Sequence, residues 1–451
     1  MTAFGKASFD RTLGSFLSEE EESLVNWRRT LHKYPEIGWT EYRTTYLIGE
    51  KLRALGFELS IGKEASEGSE RMGVPDPETL SRHEKRAREA GVPEQWLREM
   101  EGGNTGLVAR WDTGREGPHF ALRFDIDALE IRESDAQTHL PAMDGFRSTQ
   151  EGMMHACGHD GHATIGIGVA RFIHRYGETL NGRFTLIFQP AEEGGRGARA
   201  MVKKGWLDDV DYFLSGHIGI RSLDLGEVVA TTSGFFCTTK IDAAFRGKSA
   251  HAGGDPHKGK NALLAAASTA LHLHGIPRHG EGATRINVGR LVAGSGRNVV
   301  PDRAKLELET RGETEELNRY MVGEAKRIIR AAARLYDVEE DIEIVGEATD
   351  ATCDEEWISI VEQACAPSQA ITRVLPRAHF GVSEDATFMI DRVQQQGGKA
   401  TYLLFGSPIV EGHHHPKFDY REEVLSIAIE TLSRLIQHCQ REPIMAGAQE
   451  M

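Results

Sequence analysis

Residues 153–166, MMHACGHDGHATIG, bring a cysteine, an aspartate and three histidines into one short stretch. Thiolate and imidazole are ligands that zinc and other transition metals accept, so Cys157 and His159 could form one wall of a metal site. A structural zinc site takes four protein ligands in closely spaced pairs, and no second Cys-x-x-Cys or His-x3-His pair lies nearby. A zinc-dependent deaminase would need a Pro-Cys-x-x-Cys segment, which the chain lacks. A nucleophilic thiol needs a base but has no use for a run of histidines. A helix beginning near Asp160 would put its positive end at the thiol, favouring thiolate and suiting a ligand and a nucleophile alike. Ordinary core packing of a lone Cys–His pair also remains open on these residues.

Three other clusters bear on that choice. In QPAEEGG, Glu192 and Glu193 are adjacent, and neighbouring side chains on an extended backbone diverge. One could bind a cation while the other faces water as a general base, a division of labour that metal-assisted hydrolysis uses. His217 sits in SGHIGI, and His413, His414 and His415 in GHHHPKFDY. Taken singly, each reads as a core histidine, an acidic turn or a surface loop.

The elements around these clusters predict a common meeting place. HFALRF precedes Asp125 and Asp127, GRFTLIFQP precedes Glu192, DVDYFLSG precedes His217, and KATYLLFGSPIVEG precedes the histidine run. Each cluster follows an apolar strand-like run, with helical patterns between the runs. That alternation predicts an α/β fold with a mainly parallel sheet flanked by helices. In such sheets sites form outside the strands' carboxyl ends. Residues 234–347 carry a different order, strand-helix-strand-strand-helix-strand. This predicts an inserted α+β lid or dimerisation domain of four strands and two helices. The expected division is a catalytic domain over 1–233 and 348–451, with the lid over 234–347. Residues 64–105 read as an exposed, charged helical insertion. Ser18 is expected to cap the helix that begins SEEEESLVNW, and a second helix is expected to end at Gly56.

Composition narrows the partners. The chain has 451 residues and a formal charge of −15, which argues against nucleic acid or an anionic membrane. No apolar leader and no run of about 20 apolar residues is present. Five cysteines without paired spacing fit a reduced, cytoplasmic protein.

The stretches RRTLHKYPEIGWTEYRT, LRFDIDALE, MHACGHDGH, FQPAEEGGRGARAM, GKSAHAG, NVVPDRA and SEDATFM resemble, in order and over most of the chain, the dinuclear-metal amidohydrolases of the aminoacylase and carboxypeptidase-G type. The resemblance is greatest to their hippurate and indole-acetyl-amino-acid hydrolase branch. Within it, the insertion containing RMGVP, the phrase GSGRNVVP and the ending GHHHPKFDY are similar to the A-type chains that cleave p-aminobenzoyl-glutamate. The resemblance implies hydrolysis of the amide bond of an N-acyl amino acid, most narrowly p-aminobenzoyl-glutamate to p-aminobenzoate and glutamate. The alternatives are a broader N-acyl amino acid specificity and a non-catalytic partner subunit. The resemblance also implies two divalent ions per subunit, Mn²⁺ before Zn²⁺, with Cys157 bridging and His159, Glu193, His217 and His414 completing the ligand set. Glu192 is expected as general base and then acid, and His251 as an oxyanion donor reaching a neighbouring subunit's site. Asn298, Arg311 and, by adjacency, Arg297 are expected to hold substrate carboxylate. Other branches carry a histidine where this chain has Asp125, while Asp127 keeps the family aspartate and is expected to orient a ligand. A dimer through the lid is expected, either of two copies or with a related B subunit.

Overall fold

The computed structural model describes residues 6–220 and 223–441. Its first strands in chain order are β1 (Glu58–Ile61), β2 (Leu107–Asp112), β3 (His119–Asp125), β4 (Arg183–Gln189), β5 (Tyr212–Ile218) and β6 (Glu227–Ser233). Next come β7 (Cys237–Arg246), β8 (Thr284–Ala293), β9 (Arg303–Gly312) and β10 (Glu339–Ala348), then β11 (Arg373–His379) and β12 (Lys399–Phe405). Among the described residues these form an eight-stranded sheet, β1-β2-β4-β3-β5-β12-β6-β11, and a four-stranded sheet, β10-β7-β9-β8.

The centre of the larger sheet, β4-β3-β5-β12, is parallel. Antiparallel pairings occur at β1–β2, β2–β4 and β12–β6. The parallel centre brings the carboxyl ends of β3, β4, β5 and β12 to one edge, where the four polar clusters follow. β3, HFALRFD, is buried along its whole length, as a strand covered on both faces must be.

The helix His159–Tyr176 carries the cysteine–histidine stretch into this packing and is buried over most of its residues. Gly158, at φ +89°, makes the left-handed turn between Cys157 and His159. Gly166 lies so close to the sheet that an added Cβ would sit 2.6 Å from the Phe188 ring. A side chain there would push the helix off β4, costing about 1–3 kcal/mol. Behind its first turn Asp160 accepts from Arg28 Nε at 2.9 Å and pairs with His32 at 2.8 Å. Arg28 also donates to Asp419 at 2.7 Å, so the network ties the helix to the segment after the histidine run.

The four-stranded sheet is antiparallel throughout. The helices Ala262–Leu273 and Glu315–Leu335 share one face of it, around Ile241, Ala243, Phe245, Leu306, Leu308 and Met321. Its other face turns toward the larger sheet, where Glu347 N–H donates to Gly195 carbonyl at 2.7 Å.

Two local expectations are corrected. Ser18 lies inside the helix Lys6–His32 and caps nothing. Phe9, Leu13, Phe16 and Leu17 are buried ahead of it, so an apolar face carries the helix upstream of the acidic run. The charged insertion is helical over Pro77–Glu89 and Glu94–Glu99, but it is not simply exposed. Leu80, Ala87, Trp96, Leu97 and Met100 are buried, and Arg199 joins Glu70 of the insertion to Glu347 at the end of β10. The second helix, Tyr42–Ala54, stops ahead of Gly56 at φ +88°. No helix among the described residues is long and apolar enough to cross a membrane.

Candidate metal centre

The polar clusters meet in a cavity of about 420 Å³, lined in part by Cys157, Glu192, Glu193, His217, Arg311 and His414. Donor atoms of Cys157, His159 and His217 lie within 4.8 Å of one another, and so do those of Cys157, Glu193 and His414. Cys157 belongs to both groups.

Two of the imidazoles, His159 and His217, are fixed by a bond on their far side. His159 Nδ1 is 2.9 Å from the Asp127 carbonyl, an oxygen that can only accept, so Nδ1 carries the proton and Nε2 presents its lone pair to the cluster. His217 Nδ1 likewise faces the Ile218 carbonyl at 2.8 Å, which points Nε2 at Cys157 Sγ, 3.5 Å away. The Asp127 carboxylate accepts the backbone N–H of Glu192 at 3.1 Å and of Glu193 at 3.0 Å, setting the acidic turn. That turn begins at Ala191, at φ +52°, a strained value for a residue with a Cβ. Glu41 holds it by accepting the Ala191 N–H at 2.8 Å. His414, also left-handed at φ +64°, is anchored by its N–H to the Ala156 carbonyl and brings Nε2 to 3.4 Å from Glu193 Oε1.

Two buried atoms of this cluster, His159 Nε2 and Glu193 Oε1, have no hydrogen-bond partner. They stand 4.0 Å apart, too far to bond each other. Each is therefore a donor left without a protein partner, one in each of the two groups that share Cys157. The charge balance agrees. Burial, then the Glu193 and Glu192 carboxylates, push the Cys157 thiol well above its usual range. Burial, then Glu384 and Glu193, do the same to the Glu192 carboxyl. The helix N-terminus does not by itself make Cys157 a thiolate; cations in the cluster would. The donor set therefore fits divalent ions.

His162 and Asp125 lie within donor reach of His159, but each of their polar side-chain atoms already has a protein partner. His162 Nε2 accepts the Ile218 N–H at 3.0 Å and its Nδ1 donates to Asp125 at 2.6 Å. The second Asp125 oxygen accepts from Arg123 at 2.7 Å. Asp125 stands where other branches of the resembling family carry histidine, and here it braces rather than presents a free donor.

Of the residues expected to meet substrate, Arg311 on β9 lines the cavity. His251, Arg297 and Asn298 are exposed and stand outside its lining. Sequence reasoning missed the support beneath the site. Buried Arg123 donates to Glu384 at 3.0 Å and to Asp385 at 3.1 Å. Asp385 accepts from Gln189 and from the N–H groups of Gly197 and Ala198, clamping both ends of the acidic turn. Alternation in RFDID places Arg123 on the same strand face as Asp125 and was the available signal for it.

Residues 121–438 match Peptidase family M20/M25/M40. The indole-3-acetyl-aspartic acid hydrolase of Enterobacter agglomerans is 48% identical over 422 residues, covering 93% of this chain and 97% of that one. The A-type chain of the p-aminobenzoyl-glutamate hydrolase of Escherichia coli is 47% identical over 424 residues, covering 94% and 97%. The crystal structure of the aminobenzoyl-glutamate utilization protein from Klebsiella pneumoniae superposes with a TM-score of 0.80 at 41% identity, covering 96% of this chain and all of that one.

Proposed function

From the premise that the chain belongs to Peptidase family M20/M25/M40 and is a metal-dependent hydrolase of N-acyl amino acids, we propose that its principal substrate is p-aminobenzoyl-glutamate. The observation that carries the metal-dependent hydrolysis is the double membership of Cys157: one thiol completes two donor groups, each containing a buried atom with no other partner. The two relatives near 48% identity are named for aryl-acyl conjugates of aspartate and glutamate. An indole-acetyl-aspartate substrate is the second reading, favoured by the first of them.

In this proposal His159, His217 and Cys157 would hold one divalent ion, and Cys157, Glu193 and His414 the other. Mn²⁺ is the first choice on the family resemblance and Zn²⁺ the second, and thiolate, imidazole and carboxylate together suit either. The bound ions supply Lewis-acid polarisation and a lowered pKa for water. Glu192 takes the proton of the attacking water as the oxygen bonds to the amide carbon. It then passes that proton to the amide nitrogen as the C–N bond breaks, giving an acid and an amine. Burial, then Glu384 and Glu193, raise the Glu192 carboxyl, and cations beside it would favour the carboxylate that takes the first proton. His251 Nδ1 accepts the N–H groups of Gly253 and Gly254 at 3.1 and 2.9 Å. Its Nε2 is therefore the protonated nitrogen, able to donate to an oxyanion in a neighbouring chain. Arg311, Asn298 and Arg297 meet the substrate carboxylates.

The proposed working units are 1–233 with 348–451, and 234–347, with pairing through the latter. β8 is an edge strand bearing exposed Leu291 and Val292, and Leu271 on the neighbouring helix is 77% exposed. A second copy or a related B subunit would cover them. The five cysteines are free thiols, which supports a cytoplasmic site of action. The test is release of p-aminobenzoate by the chain expressed alone and supplied with Mn²⁺ or Zn²⁺. Turnover that a chelator abolishes supports the proposal. No release with either metal, from this or an indole-acetyl conjugate, overturns it.

A further inference from the structure

The wall of the cavity opposite the metal-ligand candidates is the helix-free face of the four-stranded sheet. In the β7–β9 register Lys240 stands opposite Glu309 and Thr238 opposite Arg311. Residues two apart on a strand share a face, so these four project together. The alternate positions, Ile241, Ala243, Leu306 and Leu308, pack under the helices. Lys240, Thr238 and Arg311 line the cavity.

The charges on this wall are unevenly matched. Glu309 accepts from Arg311 Nε at 2.9 Å on one oxygen and from Nη2 at 3.2 Å on the other, which also accepts from Lys240. Burial would raise the Glu309 carboxyl, but Arg311 and Lys240 hold it down to about 2. One carboxylate thus serves two cations. Arg311 Nη1 has only a 3.4 Å approach to Ser383 Oγ, and a lysine ammonium offers three donors, of which Glu309 takes one. Both cations are about three-quarters buried. Asp242 and Glu307, next along the same face, are taken up by Lys305 and Arg290. One positive charge of the Lys240–Arg311 pair therefore faces the cavity without an opposite charge of its own, in a place where an unpaired charge is costly.

We propose that Lys240, together with Arg311, is the receptor for the side-chain carboxylate of an acidic leaving amino acid. Glu309 preorganises the two cations and leaves one charge for the substrate to meet. This makes Lys240 a specificity-determining residue for aspartyl and glutamyl amides as a class. It rests on the reading of the chain as an N-acyl amino acid hydrolase and adds a residue that neither motif nor spacing marks.

The experiment compares kcat/KM for p-aminobenzoyl-glutamate and its isosteric glutamine analogue, in the metal-supplied wild type and in Lys240→Met, Lys240→Gln and Lys240→Arg. The wild type should favour the glutamyl conjugate by roughly 10–100-fold, the scale of a hydrogen bond to a charged group. Both neutral variants should lose most of that ratio, and the arginine variant should keep much of it. The methionine and glutamine variants are made in parallel so that a folding defect in one leaves the other to be read. Equal wild-type rates on the two conjugates, or a neutral variant that slows both by the same factor, overturn the inference while leaving the hydrolase reading intact. A wild type that cleaves no N-acyl amino acid overturns both.

Discussion

On the larger sheet's side of the cavity, His159, His217 and Glu193 are each fixed from behind by a carbonyl or by Asp127. On the side of the smaller sheet, His251, Arg297 and Asn298 stand in exposed segments outside the cavity of their own chain. The first region is preorganised by one polypeptide, with Arg123 bracing Asp125, Glu384 and Asp385 and the Arg28–His32 network anchoring Asp160 behind it. In the second, Lys240 and Arg311 already line the cavity, while His251, Arg297 and Asn298 have the residue types for binding substrate but no site of their own chain to act on. Metal binding and substrate binding should therefore separate experimentally. Metal affinity should belong to the single chain and full turnover to an assembly.

The contrast breaks most sharply in Cys157→Ala. Removing the donor common to both groups should cost activity roughly 10⁴-fold or more, because the ions underpin the chemistry. Metal analysis should find fewer ions per chain. A variant that keeps both ions and most of its turnover would move the site elsewhere.

A smaller effect is expected from His251→Ala, about 100–1,000-fold in kcat for a lost oxyanion donor, with metal content unchanged. Mixing that variant with Glu192→Gln chains should restore activity to about a quarter of wild type, because hybrid dimers regain one complete site. Failure of the mixture to recover, with hybrids demonstrated by mass spectrometry, would place His251 in its own chain's site or with a different partner.

The smallest effect concerns the anchoring network alone. Burial would lower the His32 pKa, but hydrogen bonds to Asp160 and Glu133 raise it to about 9 from 6.5. A raised folded-state pKa stabilises fully below 6.5 and is lost as pH climbs through 9. Against burial, His139 and His32 hold Glu133 down to about 2 from 4.5, so its contribution is full above 4.5 and is lost as pH falls toward 2. Stability should therefore decline by about 3 kcal/mol between pH 6.5 and 9, read as a falling Tm. The slope should flatten in His32→Gln. An unchanged slope in that variant would show that the network carries no such stability.

Much of the larger sheet's side was legible because central strands bury both faces and announce themselves as apolar runs. HFALRFD and RFTLIFQ end where the polar residues begin, so the meeting of the clusters followed from α/β topology. SEDATFM stood out by resemblance, but the clamp that Glu384 and Asp385 make was not legible. It follows β11, RVLPRAH, an edge strand with a proline that gives no apolar run to mark it. The state of the Cys157 thiol was also beyond the sequence. A helix N-terminus is visible in GHDGH, but the opposing carboxylates come from segments remote in the chain. Lys240 gave no signal either, since its meaning lies in its register with Glu309 and Arg311.

In the proposed chemistry Glu192 moves the proton while Cys157, His159, Glu193, His217 and His414 hold the ions. That division is tested most directly by Glu192→Gln, with metal stoichiometry and turnover measured on the same preparation. The expected result is two ions per chain, as in the wild type, with kcat lower by about 100–10,000-fold. Loss of an ion together with activity would make Glu192 a ligand and contradict the division.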